Sequence, residues 1–237
     1  MLFSVEANKK LNASQDDAHQ VIGLSMAPND KSGANLCKDA TPVCIHHCLD
    51  ETGLGKVDKN QAYRIAKALF FLTERQEFLK QMLHDVEVMN RRARKKRKAL
   101  YVRGNVFTDL PWERICPELF EDQTITWYDY TKTYTRVEDY LAQRSHWPKN
   151  YHLCFSMSEK NHEECHDLLS RGANVAVVVR DDGHKPLQNH PFSKYAWVDG
   201  DKTDLWWENN KSVLGLLRAK GSMMKDKEGF VQDSIVA

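Results

Sequence analysis

The sequence lacks the apolar segments that mark membrane and secreted proteins. No apolar run approaches the ~20 residues that a membrane-spanning helix needs. The first 20 residues are polar and of mixed charge, without the apolar core of a signal peptide. We therefore expect a cytoplasmic protein with no membrane partner.

The chain also lacks an excess of charge of one sign. Its 34 Lys and Arg residues and 33 Asp and Glu residues leave a formal net charge of +1. Nucleic-acid affinity would therefore have to come from a local patch. One basic run fits that description: Arg91, Arg92, Arg94, Lys95, Lys96, Arg97 and Lys98. It predicts contact with phosphates, although a solvated helix end is an equally good interpretation.

Several well-known catalytic motifs are missing. The sequence contains no Gly-x-Gly-x-x-Gly, no Gly-Lys-Ser/Thr phosphate loop, no Gly-x-Ser-x-Gly and no His-Glu-x-x-His. Nucleotide hydrolases, α/β-hydrolases and zinc proteases of these types accordingly lose support.

Cysteines are few but unevenly placed. In a reducing compartment six of them do not indicate a disulfide framework. Cys37, Cys44 and Cys48 fall in one short loop, and closely spaced thiolates bind zinc or iron–sulfur clusters. His46 or His47 could complete a zinc site, whereas three cysteines on a cluster would leave one iron open. The alternative is that the three cysteines are unrelated and bind no metal. Their spacing does not distinguish zinc from an iron–sulfur cluster.

The hydrophobic pattern alternates between helical and extended segments. Apolar residues recur at helical spacing from Asp58 to about Lys98, with a break expected near Thr73 and Glu74. The other predicted helices span 112–120, 135–143 and 162–171, and the predicted strands span 21–26, 99–103, 124–130, 151–156, 174–180, 195–198 and 213–217.

This alternation predicts an α/β fold with a parallel sheet. We interpret it as a partial or small β/α barrel of the TIM type. The expected organisation is an N-terminal extension over residues 1–20 and a single domain over 21–237, with a Cys-rich metal loop at 35–55.

Polar residues follow several of the predicted strands. In parallel folds ligands bind at this edge of the sheet, so these residues are candidates for one site. We expect catalytic roles for Asp109, Asp129, Lys132, Asp199 and Asp201, and cofactor binding by Arg103, Asn105, Ser156, Ser158 and Glu159.

Most of the chain beyond residue 20 resembles a phage family known only as gene product 88. The resemblance rests on the segments Asn35 to Leu49, Arg103 to Trp112, Tyr128 to Lys132, Asn150 to Glu159, Asp199 to Leu205 and Gly215 to Gly221. It implies no activity, but it does imply a protein that works in the host cytoplasm.

A more distant resemblance is to phage radical-SAM-like proteins with a partial β/α barrel. The order of a three-Cys loop, an Asp-bearing strand end, Thr131-Lys132 and Ser156-x-Ser158-Glu159 carries it. It implies a [4Fe–4S] cluster on the three cysteines, S-adenosylmethionine on the open iron, and modification of a nucleic acid or nucleotide. The cysteine spacing departs from the usual Cys-x3-Cys-x2-Cys.

Two other functions remain open at this point. A base-exchange enzyme resembling the deazaguanine transglycosylases would use Asp109, Asp129, Asp199 or Asp201, with zinc on the cysteine loop. A non-catalytic protein that binds a host defence protein is the third interpretation. A small-molecule cofactor is the expected partner of the radical-SAM-like enzyme. The sequence does not indicate an oligomeric state.

Overall fold

The fold is mixed α/β, built on an eight-stranded, mostly parallel sheet. A computed structural model describes residues 1–5, 9–51, 53–143, 146–180 and 191–233. The strands are β1 (Phe3–Ser4), β2 (His19–Leu24), β3 (Ala99–Arg103), β4 (Ile125–Thr131), β5 (Tyr151–Ser156), β6 (Asn174–Val179), β7 (Ala196–Asp199) and β8 (Val213–Arg218). The α-helices are α1 (Lys9–Ala13), α2 (Pro42–His46), α3 (Asp58–Thr73), α4 (Arg75–Lys95), α5 (Trp112–Ile115), α6 (Tyr134–Leu141) and α7 (His162–Ser170).

The strand order is β1-β2-β3-β4-β5-β6-β8-β7, and every pair except β1 with β2 is parallel. The predicted α/β fold and parallel sheet are confirmed. The predicted barrel is not confirmed, because β1 and β7 remain the two edges of the sheet among the described residues. β8 inserts between β6 and β7, so the last strand along the chain does not lie at the edge.

Alternate strand residues build two different layers, as the two-residue period of a strand requires. One face packs against the helices through a large core that includes Ile22, Val102, Trp127, Phe155 and Val177. The opposite face forms a smaller cluster, which includes Val21, Tyr101 and Tyr128 and is covered by Leu11 and by Leu205, Trp206 and Trp207.

Local sequence explains where the helices stop. The break predicted near Glu74 is confirmed, because this residue leaves the helical region at φ −130° and ψ 50° between α3 and α4. The predicted helix 112–120 is divided at Pro117. Cys116 precedes this proline and is extended, so a 3-10 helix over Pro117–Phe120 follows α5.

Residues 1–20 hold two elements that sequence patterns did not predict. The two residues of β1 extend the sheet at β2, and Leu11 of α1 is fully buried. Short elements give too few residues for a periodic signal, which is why the pattern misses them.

No helix within the described ranges is long and apolar enough to cross a lipid bilayer.

Candidate functional site

A cavity of about 850 Å³ opens at the carboxyl edge of the parallel strands. Its wall contains the last residue of four strands, namely Arg103 of β3, Thr131 of β4, Ser156 of β5 and Arg218 of β8. Strand ends are the usual place for ligands in parallel α/β folds, and the volume suits a small molecule.

Three thiols lie on one wall of this cavity. Cys37, Cys44 and Cys48 all line it, and none of them forms a disulfide. The Sγ of Cys37 donates to the carbonyl of Phe107 at 3.2 Å. The backbone N–H of Cys44 donates to Oγ1 of Thr41, the N-cap of α2, at 3.2 Å.

Burial keeps two of these thiols protonated. It raises the pKa of Cys37 to about 12 and that of Cys48 to about 11, and the neighbouring thiols add to both shifts. The cysteines are therefore near enough to influence one another electrostatically.

The loop does not form a closed metal site. No group of three or more His, Cys, Asp or Glu side chains in the described part of the chain is arranged to hold a metal ion. His46 is exposed and His47 is buried, where its Nδ1 lies 2.9 Å from Oγ of Ser222. Neither histidine lines the cavity. The predicted metal loop is thus seen only as a group of free thiols facing a cavity.

Contacts with the rest of the chain hold the cysteine loop over the sheet edge. The backbone N–H of Asp109 donates to the carbonyl of Leu36 at 2.9 Å, next to the first cysteine. Thr41 Oγ1 donates to Oε2 of Glu159 at 2.9 Å, which ties α2 to the loop after β5.

Six of the ten strand-end candidates meet at the cavity. The lining residues are Arg103, Asn105, Asp109, Lys132, Ser156 and Asp201, whereas Asp129, Ser158, Glu159 and Asp199 are outside its lining. Their catalytic and cofactor-binding roles remain predictions.

Asp109 connects the cavity wall to a buried charged cluster that includes Arg136 and Glu113. Its Oδ1 accepts from Nη1 of Arg136 at 2.8 Å, and its Oδ2 accepts from Thr131 Oγ1 and the backbone N–H of Lys132. The same guanidinium donates to both carboxylate oxygens of Glu113, at 3.0 and 2.8 Å. Burial raises the pKa of Asp109, and Arg136 opposes this shift.

A second buried cluster of hydrogen-bonded side chains is centred on Asp204, on the face of the sheet that carries the smaller hydrophobic cluster. Asp204 is fully buried and accepts from Arg103 Nη1 at 2.9 Å, Tyr128 Oη at 2.8 Å and Tyr130 Oη at 3.1 Å. The guanidinium of Arg103 also lies 4.6 Å from the centre of the Tyr130 ring. Arg103 is therefore held in one orientation at the cavity wall.

Asp129 is a buried carboxyl rather than a cavity group. It accepts from the backbone N–H of Asn105 at 2.6 Å, from Asn105 Nδ2 at 2.8 Å and from Tyr151 Oη at 2.7 Å. Burial raises its pKa from 3.8 to about 7, against the effect of these donors.

The raised pKa of Asp129 predicts a falling stability between about pH 4 and 7. In that window the folded chain keeps the proton and the unfolded chain has released it, so the free energy of unfolding falls with rising pH. The slope from this group approaches ~1.4 kcal/mol per pH unit at most. Urea denaturation across this range should show a flatter profile for Asp129→Asn than for the wild type. Asp17→Asn, at an exposed position, controls for the change in net charge. Parallel profiles for wild type and Asp129→Asn would refute the prediction.

The basic run lies away from the cavity. It occupies the end of α4 and the turn into Ala99, the first residue of β3, whereas the cavity contains the last residue of that strand. Part of the run has protein partners: Arg94 donates to Thr124 at 2.6 Å, and Arg91 pairs with Glu87 at 3.4 Å. Contact of this run with nucleic acid remains a prediction.

Sequence reasoning did not single out Arg136, Arg218 or Phe230. Arg136 lies within a helix, where an arginine predicts a solvated face. Phe230 reaches the cavity from a segment beyond the last strand, where the residues show no periodic pattern. Arg218 could have been found, because it follows a predicted strand.

One comparison with known proteins identifies the family, and none of them indicates an activity. The family model described as "Gene product 88" matches residues 1–234, so the chain belongs to that family. No curated protein and no solved structure matches the chain.

Proposed function

We propose that this member of the gene product 88 family is a metalloenzyme of the radical-SAM-like type. In this proposal Cys37, Cys44 and Cys48 hold an iron–sulfur cluster, and the adjoining cavity takes S-adenosylmethionine and a nucleotide-type substrate in the host cytoplasm. The observation that carries the proposal is the placement of three cysteines from one loop on the wall of a cavity at the carboxyl edge of a parallel sheet.

The donor set fits such a cluster. None of the three sulfurs is in a disulfide, and cysteine thiolates are the ligands of iron–sulfur clusters. Cluster binding would therefore release the protons that burial keeps on Cys37 and Cys48. In a cluster each cysteine binds a different iron, so the sulfurs need not converge on a single ion. Three protein ligands would leave one iron of a [4Fe–4S] cluster open to a cofactor.

The sheet supports the same interpretation. β2 to β6 follow one another in chain order, as strands do in a β/α barrel, and the long helices pack on one face only. We propose that the sheet is a partial barrel. The ligand would bind at the carboxyl ends of the strands, on the face that the long helices do not cover.

A bound cluster would supply one-electron chemistry, and the chain would supply binding and orientation. Arg103, fixed by Asp204, presents a positioned guanidinium at the cavity. The amide of Asn105 is fully used by Asp129, Leu110 and Thr108, so this residue supports the wall. Ser156 adds a hydroxyl from the end of β5. The apolar part of the lining would contact the body of the bound molecules.

The first experiment is metal analysis of protein purified without oxygen, with Cys44→Ala beside it. We expect about four irons per chain and a broad brown absorbance in the wild type, both strongly reduced in the variant. Cys116→Ala is the control, because Cys116 is a free, buried cysteine that lies outside the cavity lining. It should keep the iron and the colour.

Other outcomes contradict the proposal in distinct ways. One zinc per chain without colour, lost in Cys44→Ala, would leave the cysteines as a structural site and favour a transglycosylase or a binding protein. A chain that takes up no metal, or loses it equally in both variants, would remove the role assigned to the three cysteines.

A further inference from the structure

Lys132 stands out among the charged groups of the cavity. Its side chain is half-buried, and its ammonium lies 5.3 Å from the centre of the Phe230 ring. Within the described ranges it forms no ion pair and no side-chain hydrogen bond with the protein. The carboxylate of Asp109 nearby is occupied by Arg136, Thr131 and the backbone of Lys132 itself.

Every other cation on the cavity wall has a carboxylate partner among the described residues. Arg103 pairs with Asp204, and Lys220 Nζ lies 2.9 Å from Oδ1 of Asp201. Arg218 lies 3.9 Å from the same carboxylate. Lys132 is therefore the group that gains most from an anion in the cavity, since a partly desolvated ammonium without an acceptor is unfavourable.

The remainder of the lining is largely apolar. The residues that contribute this surface include Val106, Phe107, Met157, Val178, Leu217 and Met223. A site of this kind takes a ligand with an apolar or aromatic body, oriented by a few polar contacts.

We propose that the cavity binds a phosphorylated small molecule of nucleotide size, whose phosphate is held by Lys132. The apolar wall holds the body of the ligand. The exposed basic end of α4 lies near the amino end of β3, whereas the cavity lies at the carboxyl ends of the strands. The site therefore suits a free nucleotide-like molecule better than a nucleic-acid strand. The inference rests on the proposed function only in taking this cavity as the substrate site.

The test is calorimetric titration of the full chain with adenosine 5′-monophosphate and, separately, with adenosine. We expect the phosphate to strengthen binding about tenfold or more, because a charged hydrogen bond contributes at least that factor. Lys132→Met, which keeps the length of the side chain, should abolish the preference. Lys80→Met is the control, since Lys80 is exposed on α4 and pairs with Glu77. It should bind as the wild type does.

Equal binding of the two probes, binding of neither, or an unchanged preference in Lys132→Met would overturn the inference. The iron content of the same preparations separates this result from the proposed cluster. A phosphate preference without iron would uphold the anion site and reject the cluster, whereas iron without the preference would do the reverse.

Discussion

Replacing Arg136 by Met should lower the free energy of unfolding by about 3–5 kcal/mol, as expected when one partner of a buried ion pair is removed. The guanidinium is 4% exposed and is shared by Asp109 and by Glu113, whose side chain is 0% exposed. It also donates to Tyr151 Oη at 3.1 Å. Removing it leaves two carboxylates without their cation, so the variant should unfold at a lower urea concentration.

A surface arginine provides the control for this prediction. Arg114 also pairs with a carboxylate from another element, Asp139 at 3.2 Å, but its side chain is 59% exposed. Arg114→Met should therefore cost less than ~1 kcal/mol. Arg136→Lys should fall between the two, because lysine restores the charge but not the fork that reaches two carboxylates. Similar losses for Arg136→Met and Arg114→Met would show that the buried cluster contributes no more than a surface pair.

Replacing Asp204 by Asn should cost a similar amount, about 3–5 kcal/mol. The substitution keeps the size of the side chain and removes the negative charge that faces Arg103. Tyr128 and Tyr130 both donate to this carboxylate, and an amide offers one oxygen in place of two. The measurement is again denaturation by urea.

Tyr130→Phe isolates the hydrogen-bonding part of the Asp204 cluster. It removes one donor to Asp204 and the acceptor of the Trp206 indole N–H, which lies 2.8 Å away, but it keeps the charge pair. We expect a loss of about 1–3 kcal/mol, clearly smaller than for Asp204→Asn. If Tyr130→Phe were as damaging as Asp204→Asn, the ion pair with Arg103 would not be the main contribution of Asp204.

Sequence patterns predicted secondary structure correctly where it depends on residues close together in the chain. Short apolar runs indicated the strands, and the helical spacing of Phe78, Val86 and Met89 indicated the buried face of α4. Seven strands, the longer helices and the break at Glu74 were predicted in this way. The short β1 and α1 were not, because such elements depend on what they pack against.

The sequence by itself determined the alternation of strands and helices, the parallel sheet, and the carboxyl edge as the place where Arg103, Asn105, Asp109, Lys132 and Ser156 collect. Spacing along the chain is enough for this, since every parallel strand brings its last residue to the same edge. Tertiary structure alone decided that β8 lies between β6 and β7 in the sheet. It also decided that Asp129 is buried while Lys132 faces the cavity, and that Arg136 pairs with two carboxylates. Those outcomes depend on contacts between residues far apart in the chain, and no local pattern encodes which charge meets which.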